Sequence, residues 1–392
     1  MTTPPSAAPT APGVAVIGYA FMGKAHSHAW RNVGALRPGA PGVRRQVLVG
    51  RDADAVAVAA DQYGWAESAT DWRAVLERDD IDVVDVCVPG HLHAEVAIAA
   101  LEAGKHVIAE KPLANSLGEA EKMVAAARAA RAHGVQSMVG FNYRRVPALA
   151  LARQHVAAGR IGEVRQVRIA YLQDWLADEN APMTWRLRRE LAGSGALGDL
   201  ASHAVDQVRH LLGQEVTGVN ALTETFVRRR AGADGPEDVT VDDAAWSTLR
   251  TDGGAVVSLE VSRMASARKN AFGIEVYGSS GALRFDLESL NHLDVALDGA
   301  DSFSRVLVTE PDHPYLDGWW PPGHVLGWDA TFTHQAADFL AALASGEEPA
   351  PSFEDGLAVQ RVLAAIEESA AAEGRTVHVE AAGVTTEGVE DR

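Results

Sequence analysis

Short apolar runs and longer amphipathic stretches alternate along the first third of the chain. GVAVI (Gly13–Ile17) gives way to a glycine-bearing turn and a helical stretch that reaches Trp30. RQVLVG leads into RDADAVAVAADQYG, ending at Gly64. From Asp79 to Ala114, VVDVCV is followed by HAEVAIAALEAG and then by HVIAEKPLA. Short apolar runs bounded by turn residues predict buried strands, and apolar positions three and four apart predict helices. SLGEAEKMVAAARAARAHGV predicts another helix, and QSMVGFNYRR another strand. Strands and helices alternating at this spacing specify a parallel sheet with crossover helices.

After a helix predicted over 147–158 the pattern changes. EVRQVRIAYLQDW, VTGVNALTETFV, DDAAWSTLRT, GAVVSLEVSR, FGIEVYGS and GALRFDL read as strands, several of them meeting at glycines. Consecutive strands without helices between them predict a mostly antiparallel sheet. A helix carrying Asp199 interrupts them early, and two more, near 329–344 and 354–373, close the chain. The expected class is α/β: an N-terminal doubly wound parallel sheet, then an α+β unit with a mostly antiparallel, open-faced sheet. The expected division is a tail over 1–12, a parallel-sheet unit over 13–142, an α+β unit over 143–380 and a flexible tail over 381–392.

Composition narrows the function. The chain has 392 residues, 47% of them apolar, and a net charge of −18. That is enough apolar material for real cores, and the wrong charge for a nucleic-acid backbone, which wants clustered Lys and Arg. The run Arg228–Arg230 reads as a solvated strand end. The single cysteine, Cys87, lies in an apolar run and reads as a buried structural thiol, so no disulfide can form within the chain. MTTPPSAAPTAPG has neither the basic nor the apolar region of a secretory signal. No run approaches the roughly 20 apolar residues of a membrane span. A cytoplasmic protein without a membrane partner is expected.

GYAFMG places Gly18, Ala20 and Gly23 at the glycine positions of a dinucleotide fingerprint, between a strand and a helix, with Phe21 and Met22 at the helix entry. A phosphate there meets free backbone N–H groups and the positive end of the helix dipole. An acid should follow about 20 residues on, to hold the ribose. Gly50 stands there instead, followed by Arg51 and Asp52. Arg51 suits a 2′-phosphate and Asp52 offers a carboxylate to a ribose, so NAD and NADP both remain open.

SGALGDLASHAVDQVRHLLG (Ser194–Gly213) puts Asp199, His203 and Asp206 at i, i+4 and i+7, on one helical face. A metal site, a proton relay and a buried ion pair all fit that stripe. Lys111, in AEKPLA, ends a strand and points at the crevice where ligands of open α/β sheets bind. PGHLHAEVAIAALEAGKHVIAEKPLA, with GYAFMGKAHSHAW, FNYRR and GSGALGDLASHAVDQ, resembles the glucose–fructose oxidoreductase / inositol dehydrogenase (Gfo/Idh/MocA) family from Gly13 to about Glu373. The resemblance implies a Rossmann domain followed by a sheet domain that binds substrate and builds a homodimer or homotetramer. By motif it gives Lys111 the task of steadying the reacting hydroxyl, and Asp199 and His203 an acid/base role. Ala20 and Gly50 depart from the family pattern.

A hydride acceptor needs a partner that removes the hydroxyl proton, and histidine titrates near the operating pH. Asp199 is expected to orient that ring, and Lys111 to add charge where alkoxide character develops. No metal is expected, since hydride transfer needs none and the lysine would repel one. Asp206 is then expected to pair with Arg209 or nearby backbone. Val88, Pro89, His91, His93, Glu110, Lys111, Asn142, Trp185 and Arg186 are expected beside the cofactor, with Tyr143, Arg144, Gln173, Trp175 and His324 beside the substrate. Trp185, Trp319 and Trp320 are further candidates for stacking on a sugar ring. His26 and His28 are expected on a helix surface. The reading is an NAD(P)-dependent dehydrogenase of a ring secondary hydroxyl in a pyranose, anhydrosugar or cyclitol. A ketoreductase of deoxysugar synthesis and a non-catalytic sugar or dinucleotide sensor are the alternatives.

Overall fold

Six parallel strands form the first sheet of the computed structural model, which describes residues 11–37, 39–40 and 42–380. They are β1 (Gly13–Ile17), β2 (Arg44–Val49), β3 (Glu67–Ala69), β4 (Val83–Val86), β5 (His106–Ala109) and β6 (Ser137–Val139), in the order β3-β2-β1-β4-β5-β6. The helices α1 (Phe21–Leu36), α2 (Ala53–Tyr63), α3 (Trp72–Leu76), α4 (His93–Glu102) and α5 (Leu117–Arg131) supply the connections. β1 and β4 are buried at every position, which is why their sequences are unbroken apolar runs. The strand order reverses between β1 and β4, so their carboxyl ends open a crevice.

The second sheet follows α6 (Pro147–Ala157). Its strands are β7 (Val164–Leu172), β8 (Val216–Glu224), β11 (Ala244–Thr251), β12 (Val256–Ser262), β13 (Ala271–Gly278), β14 (Ala282–Asp286), β15 (His292–Ala296), β16 (Ser304–Leu307) and β17 (Val377–His378). The order is β16-β15-β14-β13-β7-β12-β11-β8-β17, with β12 and β7 the one parallel pair. β11 alternates buried and exposed positions, so one face packs inward and the other stays open. A separate hairpin, β9 (Arg229–Gly232) and β10 (Gly235–Asp238), stands beside it. Arg230 corrects the reading of the basic run. It is 2% exposed, and its guanidinium donates to the carbonyls of Leu176, Asp178 and Ala181.

The remaining helices are α7 (Arg189–Ala192), α8 (Ser202–Leu212), α9 (Ala330–Ser345) and α10 (Phe353–Ala371). α9 returns to the first sheet, where Phe332, Phe339 and Leu340 pack with Ala25, Ala29, Trp30 and Val33 of α1. α10 begins at a Ser352/Asp355 capping box and lies against both α5 and β8. The C-terminal helices thus fasten the two sheets to each other, with the crevice between them. Among the described residues no helix is long and apolar enough to cross a membrane. The tails expected over 1–12 and 381–392 lie outside the described residues, apart from Ala11 and Pro12.

Candidate active site

The crevice is a cavity of about 630 Å³ walled by both halves of the chain. The first sheet supplies Ala20, Phe21, Met22, Val88, Pro89, His93, Glu110 and Lys111; the second half supplies Asn142, Tyr143, Gln173, Trp175, Trp185, Arg186, Asp199 and His203. A larger cavity, of about 920 Å³, opens between β8, the β9–β10 hairpin and α10. Its arginines are already paired, Arg189 with Glu367, Arg228 with Glu224 and Arg229 with Asp238. The unspent chemistry lies in the smaller one.

The nucleotide end fits a dinucleotide. Gly18 has φ of +112°, and a Cβ there would lie 2.4 Å from the Cys87 carbonyl oxygen. Ala20 has φ of −73°, a conformation that needs no glycine, which accounts for the departure from the fingerprint. No side chain caps the start of α1, and its first turn holds no acid, so these N–H groups are free for a phosphate. Gly50 also has a physical reason. A Cβ there would lie 2.2 Å from the ring of Tyr19, so the aromatic ring excludes the usual acid. Asp52 instead caps α2, accepting from the Ala55 N–H at 3.0 Å, and Arg51 is exposed. Neither lines the cavity, and neither does His91, whose Nδ1 lies 3.3 Å from the Leu191 carbonyl oxygen.

The reacting end gathers around a π-helical turn, Leu197–Ala201, that leads into α8. Such turns break the regular ladder and re-aim side chains. Lys111 Nζ donates to Asp199 Oδ1 at 3.0 Å and to the Asp199 carbonyl at 3.1 Å. Arg263 Nη2 donates to Oδ2 at 3.0 Å. Burial opposes the charge on Asp199, but these two cations hold its carboxyl well below the usual range. Burial also opposes the charge on Lys111, yet Asp199 draws its ammonium above the ordinary value.

The carboxylate therefore holds the lysine and makes no hydrogen bond to His203, contrary to the expected orienting role. Aromatic rings orient the imidazole instead. Tyr143 stacks on it at 4.4 Å, and Phe141 and Tyr171 meet it edge-on at 6.2 and 5.9 Å. Burial, then the Lys111 charge, pushes His203 well below its ordinary value. Its Nδ1 is enclosed without a partner, which leaves Nε2 to exchange a proton with the cavity. A polar chain continues along the wall. Tyr143 and Tyr171 share a hydrogen bond of 2.7 Å, Tyr171 and Gln173 both donate to Asn270, and Trp175 donates to Gln173.

Five expectations are corrected. Arg144 is 8% exposed and bound to Asp206 through Nε at 3.0 Å and Nη2 at 2.5 Å, so it is a core ion pair and touches no substrate. Asp206 thus pairs with Arg144, while Arg209 is committed to Glu215 and Asp355. Arg144→Ala is expected to cost about 3–5 kcal/mol by stranding the Asp206 carboxylate. Urea unfolding measures this, with NADH affinity of the folded protein unchanged. His324 is exposed and bonded to the Pro321 carbonyl, outside the cavity. His26 is buried, held between Asp85 at 2.8 Å and Glu110 at 2.9 Å, and only His28 is partly exposed. Trp319 donates to His334 within the C-terminal half, and Trp320 is exposed; neither lines the cavity.

Sequence reasoning missed Tyr171, Arg263, Asn270 and Trp328, all on the cavity wall. Cys87 is half-buried and also lines it, its thiol pushed up to about 12 by burial beside Asp85.

Two family models match the chain. One, an oxidoreductase family with an NAD-binding Rossmann fold, spans residues 13–141, and the GFO/IDH/MocA C-terminal domain spans 149–284. The levoglucosan dehydrogenase of Pseudarthrobacter phenanthrenivorans is 42% identical over 379 residues, covering 92% of this chain and 96% of that protein. The structure of an oxidoreductase domain protein from Kribbella flavida is similar with a TM-score of 0.92 and 52% identity, over 95% of this chain and 100% of that one. A levoglucosan dehydrogenase in complex with NADH and levoglucosan is similar with a TM-score of 0.90 and 41% identity, over 94% of this chain and 99% of that one. With Lys111, Asp199 and His203 facing a dinucleotide cradle in one cavity, the chain is an NAD-dependent oxidoreductase acting on CH–OH groups and belongs to the Gfo/Idh/MocA family.

Proposed function

We propose that the protein oxidises a ring secondary hydroxyl of a pyranose, an anhydrosugar or a cyclitol, with a levoglucosan-like anhydrosugar first among them. The observation that carries this reading is the Lys111–Asp199 pair and the neutral His203 in one cavity with Trp175 and Trp185. The indole faces offer stacking surface to the C–H face of a ring. Lys111 places its ammonium where the hydroxyl oxygen gains negative charge, which stabilises the transition state more than the ground state. His203 Nε2 accepts the hydroxyl proton. Asp199 keeps the lysine in place and stays an anion. The N-terminus of α1 with Ala20, Phe21 and Met22 would hold the pyrophosphate of a nicotinamide dinucleotide, which when bound would supply the hydride acceptor. The similarity to levoglucosan dehydrogenase, whose structure is solved with NADH and levoglucosan, supports the substrate class.

The open face of the second sheet exposes Leu222, Phe226 and Trp246. We read it as the contact of a homodimer or homotetramer. A reducing, cytoplasmic setting suits the lone thiol of Cys87. The test uses purified protein with NAD⁺ or NADP⁺ and a panel of levoglucosan, myo-inositol and D-glucose. Nicotinamide absorbance is followed, and light scattering on the same preparation gives the assembly. Reduction of NAD⁺ by at least one ring polyol is expected. Tight NADH binding with no turnover on any of them would favour a sensor and sink the reading.

A further inference from the structure

Asp199 faces two cations, and only Lys111 comes from the motifs that mark the site. The second, Arg263, follows β12 and is 2% exposed. Its main chain is pinned on both sides, its N–H donating to the Asp243 carbonyl and its carbonyl accepting from the Leu176 N–H. The ring of Trp175 lies over its guanidinium carbon at 5.2 Å. Only Nη2 carries a bond, to Asp199 Oδ2 at 3.0 Å, while Nε and Nη1 are buried without partners. A guanidinium kept in this state carries a desolvation cost that an apolar side chain would avoid. Burial for stability alone does not account for it.

We propose that Arg263 is a positioning residue for the reaction: it takes one oxygen of Asp199 while Lys111 takes the other, so that the carboxylate stays an anion and the lysine charge is only partly spent on it. The proposal rests on the dehydrogenase reading above. With a cation on each oxygen, protonation of Asp199 is disfavoured, and the substrate proton goes to His203. The charged and titratable groups around this pair are Lys111, Arg263, Arg186 and Glu110, with the Tyr143 and Tyr171 phenols against the imidazole. Removing the Arg263 charge leaves Asp199 more negative toward His203. The imidazole then binds its proton more tightly, and its titration moves to higher pH.

The experiment measures the pH dependence of kcat/KM for the wild type, Arg263→Gln and Arg263→Lys. NADH affinity, circular dichroism and the His203 imidazole NMR titration are read in the same proteins. Arg263→Gln is expected to lose about tenfold in kcat and to shift the acid limb and the imidazole titration upward by about one pH unit. Its NADH affinity should be unchanged, and Arg263→Lys should return both titrations to the wild-type position. Unshifted titrations in Arg263→Gln would overturn the proposal even with kcat reduced, because a scaffold role moves no titration. Should Arg263→Gln fail to fold, Arg263→Lys decides. A wild-type titration supports the proposal, and an upward shift with the charge retained overturns it. A wild type that oxidises no ring polyol refutes the dehydrogenase reading, while the NMR titration still decides the role of Arg263.

Discussion

His203→Ala is expected to lower the rate of oxidation by about 10²–10⁴, the usual share of a general base. The imidazole reaches the cavity through Nε2 and is held by three aromatic rings, so the substitution removes a proton acceptor without breaking an ion pair. The pH profile gives a second check. Burial and the Lys111 ammonium push the His203 titration well below its ordinary value. The base is therefore neutral and active at neutral pH. Activity falls only as the pH drops through that depressed value, and the acid limb belongs to the coupled Lys111–Asp199–His203 cluster. In the reverse direction, reduction of the ketone requires the protonated form and should fall as pH rises through the same limb. Turnover of His203→Ala close to wild type would remove the proton-transfer role.

Lys111→Ala is expected to reduce kcat by about a hundredfold or more, since a preorganised charge at a developing alkoxide acts where water is excluded. The variant also releases one oxygen of Asp199, leaving the carboxylate on Arg263 alone. Lys111 contributes to holding the His203 titration down, so its loss should also move the acid limb to higher pH. Nucleotide affinity, measured by NADH fluorescence, should change far less than kcat, because the uncapped first turn of α1 is untouched. A normal kcat would return Lys111 to an ordinary strand-end lysine.

Much of the fold was legible because each sheet imposes its own period. The unbroken apolar runs of β1 and β4 and the alternation in β11 reflect burial on two faces and on one. The site was legible where its residues sit in short local patterns, Lys111 in AEKPLA and Asp199 with His203 one helical turn apart. It was not legible where topology alone makes neighbours. Arg263 and Asn270 come from a strand end and a loop that the order of the second sheet brings to the cavity, and Trp328 from the turn before α9, which stacks it on Phe21. Helical spacing placed Asp206 on the face of His203 but could not show that Arg144 awaited it. One signal was available and unused. Asp85 interrupts an apolar strand, and a buried carboxylate demands a partner. His26 and the Trp30 indole, which donates to Asp85 at 2.7 Å, are those partners.

The packing of α9 along α1 bears on how this protein can be cut or fused. Residues 13–142 look like a self-sufficient unit in the sequence, yet one face of their first helix is covered by a segment that begins only at Ala330. Expressed alone, that fragment would present Trp30, Val33 and their neighbours to water as an apolar stripe, and such stripes invite association. A two-gene version of this protein would need the last two helices supplied with the nucleotide-binding half, since α9 and α10 close surfaces that the first sheet leaves open.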